Sequence, residues 1–240
     1  MAKSKESAAA AAGTSSVSTA GTVDRHFLHQ AKSLEEKLIE MRRHLHEYPE
    51  LSFHEHKTAA LMKDKLDSYG YKTKAGVGKT GVIGDLGKDG PVIAIRADMD
   101  GLPIDETNPN KYISKNKTVM HACGHDGHMA CGLTAAQMLS QTELPGRVRM
   151  VMQPAEEATD SDGKSGAWRM LEDNALDGVS AIIGLHADAS LKAGQVGIIS
   201  GPAMAACDGF KVTIKGKGGH GAYPETTVDS VVIGAQVVQG

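Results

Sequence analysis

Nine consecutive residues, Met120-His121-Ala122-Cys123-Gly124-His125-Asp126-Gly127-His128, hold one thiol, three imidazoles and a carboxylate. Packing alone does not call for that mixture. Thiolate, imidazole and carboxylate are the side chains that bind zinc and similar divalent ions. Gly124, between Cys123 and His125, lets the backbone turn so that both side chains face one point. Two other readings fit the stretch: a buried structural cysteine flanked by surface histidines, or a Cys123/His125 nucleophilic pair.

The elements that would position these groups follow from periodicity. Leu28, Ala31, Leu34, Leu38, Met41 and Leu45 mark one helical stripe that stops before Pro49. On it His44 and His46 point in different directions and read as surface or capping residues. Ser52-x-x-Glu55 reads as a capping box opening a second helix through Ala59, Met62 and Leu66, closed by Gly70. The neighbouring His54-Glu55-His56 lacks the spacing of the His-Glu-x-x-His zinc helix. Gly81–Leu86 and Val92–Ala97 read as strands joined in a hairpin across Asp89-Gly90, the second covered on both faces. It runs into Asp98 and Asp100, two acids that burial makes costly unless they are paired, capping or metal-linked. A helix then starts near Asp126. Gly146–Gln153 reads as a strand leading to Glu156-Glu157, Ser165–Asp173 as a short helix, and Ala181–Leu185 as a buried strand ending at His186. Three strand ends thus deliver Asp98/Asp100, Glu156/Glu157 and His186, where sites form in open α/β sheets. That convergence favours a metal site over scattered surface residues.

After Ala193 the pattern changes. Gln195–Ile199 and Phe210–Lys215 read as strands, and Val228 to Val238 as an amphipathic helix. Gly216–Gly221 lacks the ending of a phosphate loop and reads as a turn. The expected organisation is a low-complexity, disordered tail over 1–22, an α/β domain over 23–192 with a mixed sheet flanked by helices, and the start of a small α+β domain over 193–240. The chain has 240 residues, a net charge of −3 and three cysteines without a Cys-x-x-Cys pair. Scattered basic residues give no sign of nucleic acid or an anionic membrane. No apolar run reaches a membrane span, no secretory signal opens the chain, and the cysteine usage suggests a reducing, cytoplasmic setting.

Arg43-His44-Leu45-His46 with Pro49-Glu50-Leu51, Arg96 to Pro103, Met120 to His128, Gln153-Pro154-Ala155-Glu156-Glu157, Gly184-Leu185-His186 and Gly218 to Pro224 occur in order. Together they resemble the amidohydrolase branch of the aminoacylase-type dinuclear metallopeptidases, which includes hippurate hydrolases, N-acyl-amino-acid amidohydrolases and auxin-conjugate hydrolases. The resemblance covers nearly everything after the tail. It implies a zinc-exopeptidase-like catalytic domain holding two divalent ions, zinc or manganese with cobalt possible, and an inserted lid through which two copies pair as a homodimer. Carried onto this sequence, it makes Cys123, His125, Glu157 and His186 metal ligands and Glu156 the general base. Asp100 would orient a ligand, with Asp98 beside it, and His220 would belong to the lid and act in catalysis, reaching a partner subunit's site.

The implied reaction is hydrolysis of the amide bond of N-acyl amino acids or small peptides by a metal-bridged water, with Glu156 shuttling the proton. Relatives complete the metal set with a histidine near their C-terminus, so the chain reads as roughly the first half of such an enzyme. Thr159–Lys164 and Ala187-Asp188-Ala189 depart from glycine-rich and aromatic-proline segments common in relatives, which bears on substrate preference and not on the ligands. Two rivals remain at this stage: a cysteine-nucleophile hydrolase, and an inactive or partner-dependent fragment.

Overall fold

The computed structural model describes residues 25–204 and 209–240. The tail over 1–22 lies outside the described residues. Two compact units divide the chain, the first ending at Ala189 and the second running over Ser190–Gly240.

The first unit is built on a five-stranded mixed sheet. Its strands are β1 (Lys72–Val77), β2 (Gly81–Leu86), β3 (Val92–Asp98), β4 (Arg147–Gln153) and β5 (Val179–Gly184), in the order β1-β2-β4-β3-β5. The first helical stripe is divided at Leu34 into α1 (Arg25–Ser33) and α2 (Glu35–Glu47). There Ser33 Oγ donates back to the Gln30 carbonyl, a bond that competes with helix continuation. Helices α3 (His56–Ser68) and α4 (His125–Ser140) follow, and α5 (Gly166–Glu172) precedes β5. Leu45 of α2, Met62 and Leu66 of α3, and Met129 and Leu133 of α4 pack with Val82, Ala97, Met150 and Met152 of the sheet. A second cluster joins Val77, Ala94 and Val151 to Met170 of α5 and Ala175. Alternation of the strand side chains thus supplies two buried faces, matching the expected mixed sheet flanked by helices.

Strand direction positions the site. β3 and β4 are parallel with Asp98 opposite Gln153, and β3 and β5 are parallel with Arg96 opposite Gly184. Their carboxyl ends therefore lie along one edge of the sheet.

Several expectations are corrected. β2 and β3 do not form a hairpin: β4 lies between them, antiparallel to β2 and parallel to β3. The link through Gly87 (φ +94°) and Gly90 (φ +98°) passes so close to the start of β4 that a Cβ on Gly87 would sit 2.3 Å from the Gly146 carbonyl oxygen. β2 instead pairs with β1, a strand whose mixed Lys-Thr-Lys-Ala-Gly-Val pattern gave no clear signal. The capping box does not form. Glu50 takes its place, accepting from Lys57 N–H and from Thr58 N–H and Oγ1, while Ser52 and Glu55 turn to other partners. Gly70 does close α3, with Tyr71 N–H reaching the Leu66 carbonyl and Gly70 N–H that of Asp67. β5 is an exposed edge strand paired with β3, not a buried one.

In the second unit, α6 (Ser230–Gln239) forms where the valine pattern placed a helix, capped by Asp229, which accepts from Val231 and Val232 N–H. The strands expected over Gln195–Ile199 and Phe210–Lys215 are absent. A strand persists only when a neighbour takes its backbone groups, and the Lys217–Val228 bridge is the one pairing recorded among the described residues there.

Candidate metal centre

At the shared carboxyl edge, Cys123 Sγ lies 3.4 Å from His186 Nε2. His125 Nε2 lies 3.7 Å from Glu157 Oε1 and 3.9 Å from Glu156 Oε2. Three overlapping donor groups, each with atoms within 4.8 Å of one another, share His125: Cys123/His125/His186, Asp98/His125/His128 and His125/Glu156/Glu157. The sheet edge and the start of α4 thus bring together Cys123, His125, Glu156, Glu157, His186, Asp98 and Asp100. His220 lies in the second unit, where its Nδ1 accepts from Ala222 N–H.

The tautomers follow from the partners. A carbonyl oxygen only accepts, so His125 Nδ1, 2.8 Å from the Asp100 carbonyl, carries the proton. His186 Nδ1 does the same toward the Ala187 carbonyl at 2.8 Å. Both rings therefore turn Nε2 toward the cluster, the arrangement of a metal-ligating histidine. His125 Nε2 and Glu157 Oε1 are buried without any hydrogen-bond partner among the described residues. Buried polar atoms left so are costly, and two of them facing one another at 3.7 Å in a thiol-imidazole-carboxylate set fit a cation.

Charge around the site has the same sense. Burial works against the charged form of His125, but Asp100, Asp98 and Glu157 outweigh it and raise its pKa. Burial, then Glu157, pushes Glu156 above the usual carboxylate range. Burial and the adjoining carboxylates push the Cys123 thiol up to about 12. A thiol so held is a poor nucleophile without a cation to displace its proton.

Backbone order at the end of β4 is set by the buried Asp100. Asp100 Oδ1 accepts from Glu156 N–H at 3.1 Å and Oδ2 from Glu157 N–H at 3.0 Å, while Ser52 Oγ donates to Oδ2 at 2.6 Å. Burial opposes its charge, but these bonds and His125 bring Asp100 down to about 2. Asp98 pairs with Arg96 Nη1 at 2.8 Å and accepts from His128 Nδ1 at 2.6 Å.

His128, unassigned in the sequence, has both nitrogens engaged, since its Nε2 accepts from Ala187 N–H at 2.8 Å. Its spacing of three from His125 on one helix was the signal that could have found it. His46 is corrected: it is buried, with Nδ1 2.7 Å from Asp126 Oδ2 and Nε2 3.1 Å from Glu106 Oε1. Its Asp126 hydrogen bond raises its pKa against burial, with Glu106 adding to the rise. His44 is exposed, as expected.

A family model described as Peptidase family M20/M25/M40 matches residues 94–238. The chain belongs to this family. Among its relatives, N-acetyl-L-cysteine deacetylase of Bacillus subtilis is 46% identical over 210 residues, covering 86% of this chain and 49% of the relative. N-acyl-L-amino acid amidohydrolase of Geobacillus stearothermophilus is 47% identical over 205 residues, covering 84% of this chain and 54% of the relative. A solved Bacillus subtilis structure, described as a dinuclear metal binding peptidase from the M20 family, superposes with a TM-score of 0.60 at 45% identity. It covers 65% of this chain and 44% of that one. The M20 chain described here spans about half the length of the curated relatives it matches. None of its described helices is long and apolar enough to cross a membrane.

Proposed function

We propose that the protein carrying this chain is a metal-dependent amidohydrolase that cleaves the amide bond of N-acyl amino acids or small peptides. The facing, unpartnered His125 Nε2 and Glu157 Oε1, inside a cluster that also holds Cys123, His186 and Glu156, carry the reading. Cys123, His125, Glu157 and His186 would hold the divalent ions, zinc, manganese or cobalt, two per site. Bound there, such ions supply Lewis acidity for the acyl carbonyl and make water acidic enough to lose a proton near neutral pH.

The chain's own chemistry is proton transfer. Glu156, less buried than Glu157 and with a raised pKa, takes a proton from the attacking water. The water oxygen bonds to the acyl carbon, the C–N bond breaks, and Glu156 returns the proton to the leaving nitrogen. The products are a carboxylic acid and an amine; the acid's proton passes to the amine, leaving a carboxylate and an ammonium. Asp100 holds the backbone of both glutamates and, through its own carbonyl, the His125 ring.

Relatives named for N-acetyl-cysteine and N-acyl amino acids support the substrate class. On the same reading, residues 23–192 belong to the catalytic domain. Residues 193–240, with His220, belong to a lid through which copies pair, and the protein works in the cytoplasm. The thiol rival is disfavoured by the raised pKa of Cys123.

Two measurements test this function. A chelator should abolish hydrolysis of N-acetyl amino acids, and added zinc or manganese should restore it. Glu156→Gln should lower kcat by about 10²-fold or more with bound metal retained. Activity indifferent to the chelator, or full turnover in Glu156→Gln, would sink the proposal.

A further inference from the structure

We propose that Glu55 is a positioning residue for the Glu156/Glu157 pair. Its buried carboxylate, anchored by Thr80, holds Ala155 N–H and so fixes the turn from which both glutamates project. The inference rests on the role given to Glu156 above.

Glu55 stands at the N-cap of α3, yet its side chain makes no capping bond. It is fully buried, which for a carboxylate is costly unless its oxygens are used. Both are used away from its own helix. Oε2 accepts from Thr80 Oγ1 at 2.5 Å, and Oε1 accepts from Ala155 N–H at 2.8 Å, a hundred positions along the chain. Ala155 needs the support. Its φ is +43°, a left-handed conformation that a residue with a Cβ rarely adopts.

The surroundings close on the same turn. A Cβ on Gly81 would lie 2.8 Å from Pro154 Cδ, and one on Gly166 only 1.8 Å from the Pro154 carbonyl oxygen. Gly166 N–H donates to the Ala155 carbonyl at 2.9 Å. Three successive amides, those of Ala155, Glu156 and Glu157, thus end on two buried carboxylates, Glu55 and Asp100. Asp100 acts on the glutamates directly, whereas Glu55 acts one residue earlier, on the strained turn. Small displacements of a reacting group cost large factors in rate, so an acceptor there acts on turnover more than on substrate affinity.

The test uses the full-length, zinc-loaded protein and an N-acetyl amino acid. Glu55→Gln keeps size and one acceptor oxygen but turns an amide NH₂ toward one of the two donors. It should lower kcat about 10-fold, with KM and bound zinc per chain within about twofold of the parent. In the metal-free protein, amide exchange over residues 155–157 should speed by about 10-fold. Adding Ala155→Gly, whose residue takes this φ without strain, should recover about threefold in kcat. Thr80→Val, which removes the anchor, should give a smaller loss of the same kind, and it decides the matter alone if Glu55→Gln does not fold.

Unchanged kcat in both variants overturns the role, as does a loss that tracks bound zinc or one that Ala155→Gly leaves untouched. Glu156→Gln separates the two layers. If it retains turnover, the hydrolase mechanism fails first. If it abolishes turnover while Glu55→Gln leaves it intact, only the role of Glu55 falls.

Discussion

The two sides of the candidate metal centre are built differently. At the end of β4, Glu156 and Glu157 sit on a backbone fixed by Asp100, Glu55, Ser52 and Thr80, with Gly81 and Gly166 packed against Pro154. At the end of β5, His186 is exposed and its Nδ1 bonds only to the next carbonyl, while Leu185 before it is 60% exposed. Cys123, which faces it, is half-buried and follows no regular element. The carboxylate side is therefore organised by the protein itself, and the thiol-imidazole side has far less holding it. On the proposed function, the base must be in place before substrate arrives, whereas soft ligands would be drawn together by the ion they bind.

The largest effect should come from the braced side. Asp100→Ala removes one buried acceptor and strands Glu156 N–H, Glu157 N–H and Ser52 Oγ–H. Breaking such a buried charged network costs about 3–5 kcal/mol, which urea unfolding of the metal-free protein would read directly. Asp100 also sets part of the acid limit. Its folded pKa, about 2, lies below the unfolded value of 3.8, so its contribution is present above pH 3.8 and is lost as pH falls through 2. In Asp100→Ala that part of the acid limb should vanish. A variant as stable as the parent would show that the bracing is nominal.

The opposite side should respond in the opposite way. His186→Ala should shift the stability of the metal-free protein by no more than about 0.5 kcal/mol, as surface changes do, and the half-buried Cys123→Ala by no more than about 1 kcal/mol. Their cost should appear in zinc affinity, lowered by about 100-fold or more, since even residues behind a ligand are worth 10–100-fold. Calorimetric zinc titration of the full-length protein, set beside its metal-free unfolding curve, reads both. A large loss of metal-free stability would erase the contrast between the two sides.

Much of the braced side was legible as residue types but not as partnerships. Glu156, Glu157, Asp98 and Asp100 announced themselves as acids at the ends of apolar runs, and parallel pairing of β3, β4 and β5 placed those ends together. Ser52 and Glu55 were visible too, but the Ser-x-x-Glu spacing pointed to a local cap, and long-range hydrogen bonds outcompeted it. No local pattern encodes a bond across a hundred positions. The Asp89-Gly90 hairpin failed for a related reason: turn chemistry specifies a reversal, not which strand is inserted afterwards. His46 read as a surface residue because its two carboxylate partners, Glu106 and Asp126, lie 60 and 80 positions away. In the second unit, the local signal for α6 sufficed because a helix satisfies its own backbone, and strands do not.

His121 offers the finest probe, because it lies two residues before Cys123 and braces nothing. It is only 3% exposed, and neither ring nitrogen has a hydrogen-bond partner among the described residues. Burial brings its pKa down to about 4, against a smaller opposing pull from Asp126. The folded value lies below the unfolded 6.5, so the neutral ring is the form the fold accepts. Stability from this group is intact above pH 6.5. As pH falls from 6.5 toward 4, the unfolded chain takes up a proton that the folded chain refuses, and up to about 3 kcal/mol is lost.

His46 titrates with the reverse sign. Its raised pKa gives stability that is present below 6.5 and fades as pH rises past the folded value. His121→Phe keeps an aromatic ring and removes two unpaired polar atoms, a change that is often neutral or mildly stabilising. At pH 7.5 its unfolding midpoint in urea, without metal, should match the parent within about 0.5 kcal/mol. At pH 5 the variant should be more stable by about 1–2 kcal/mol, and its acid limb flatter. A variant that loses stability equally at both pH values would mean that His121 has a partner after all and belongs with the braced side.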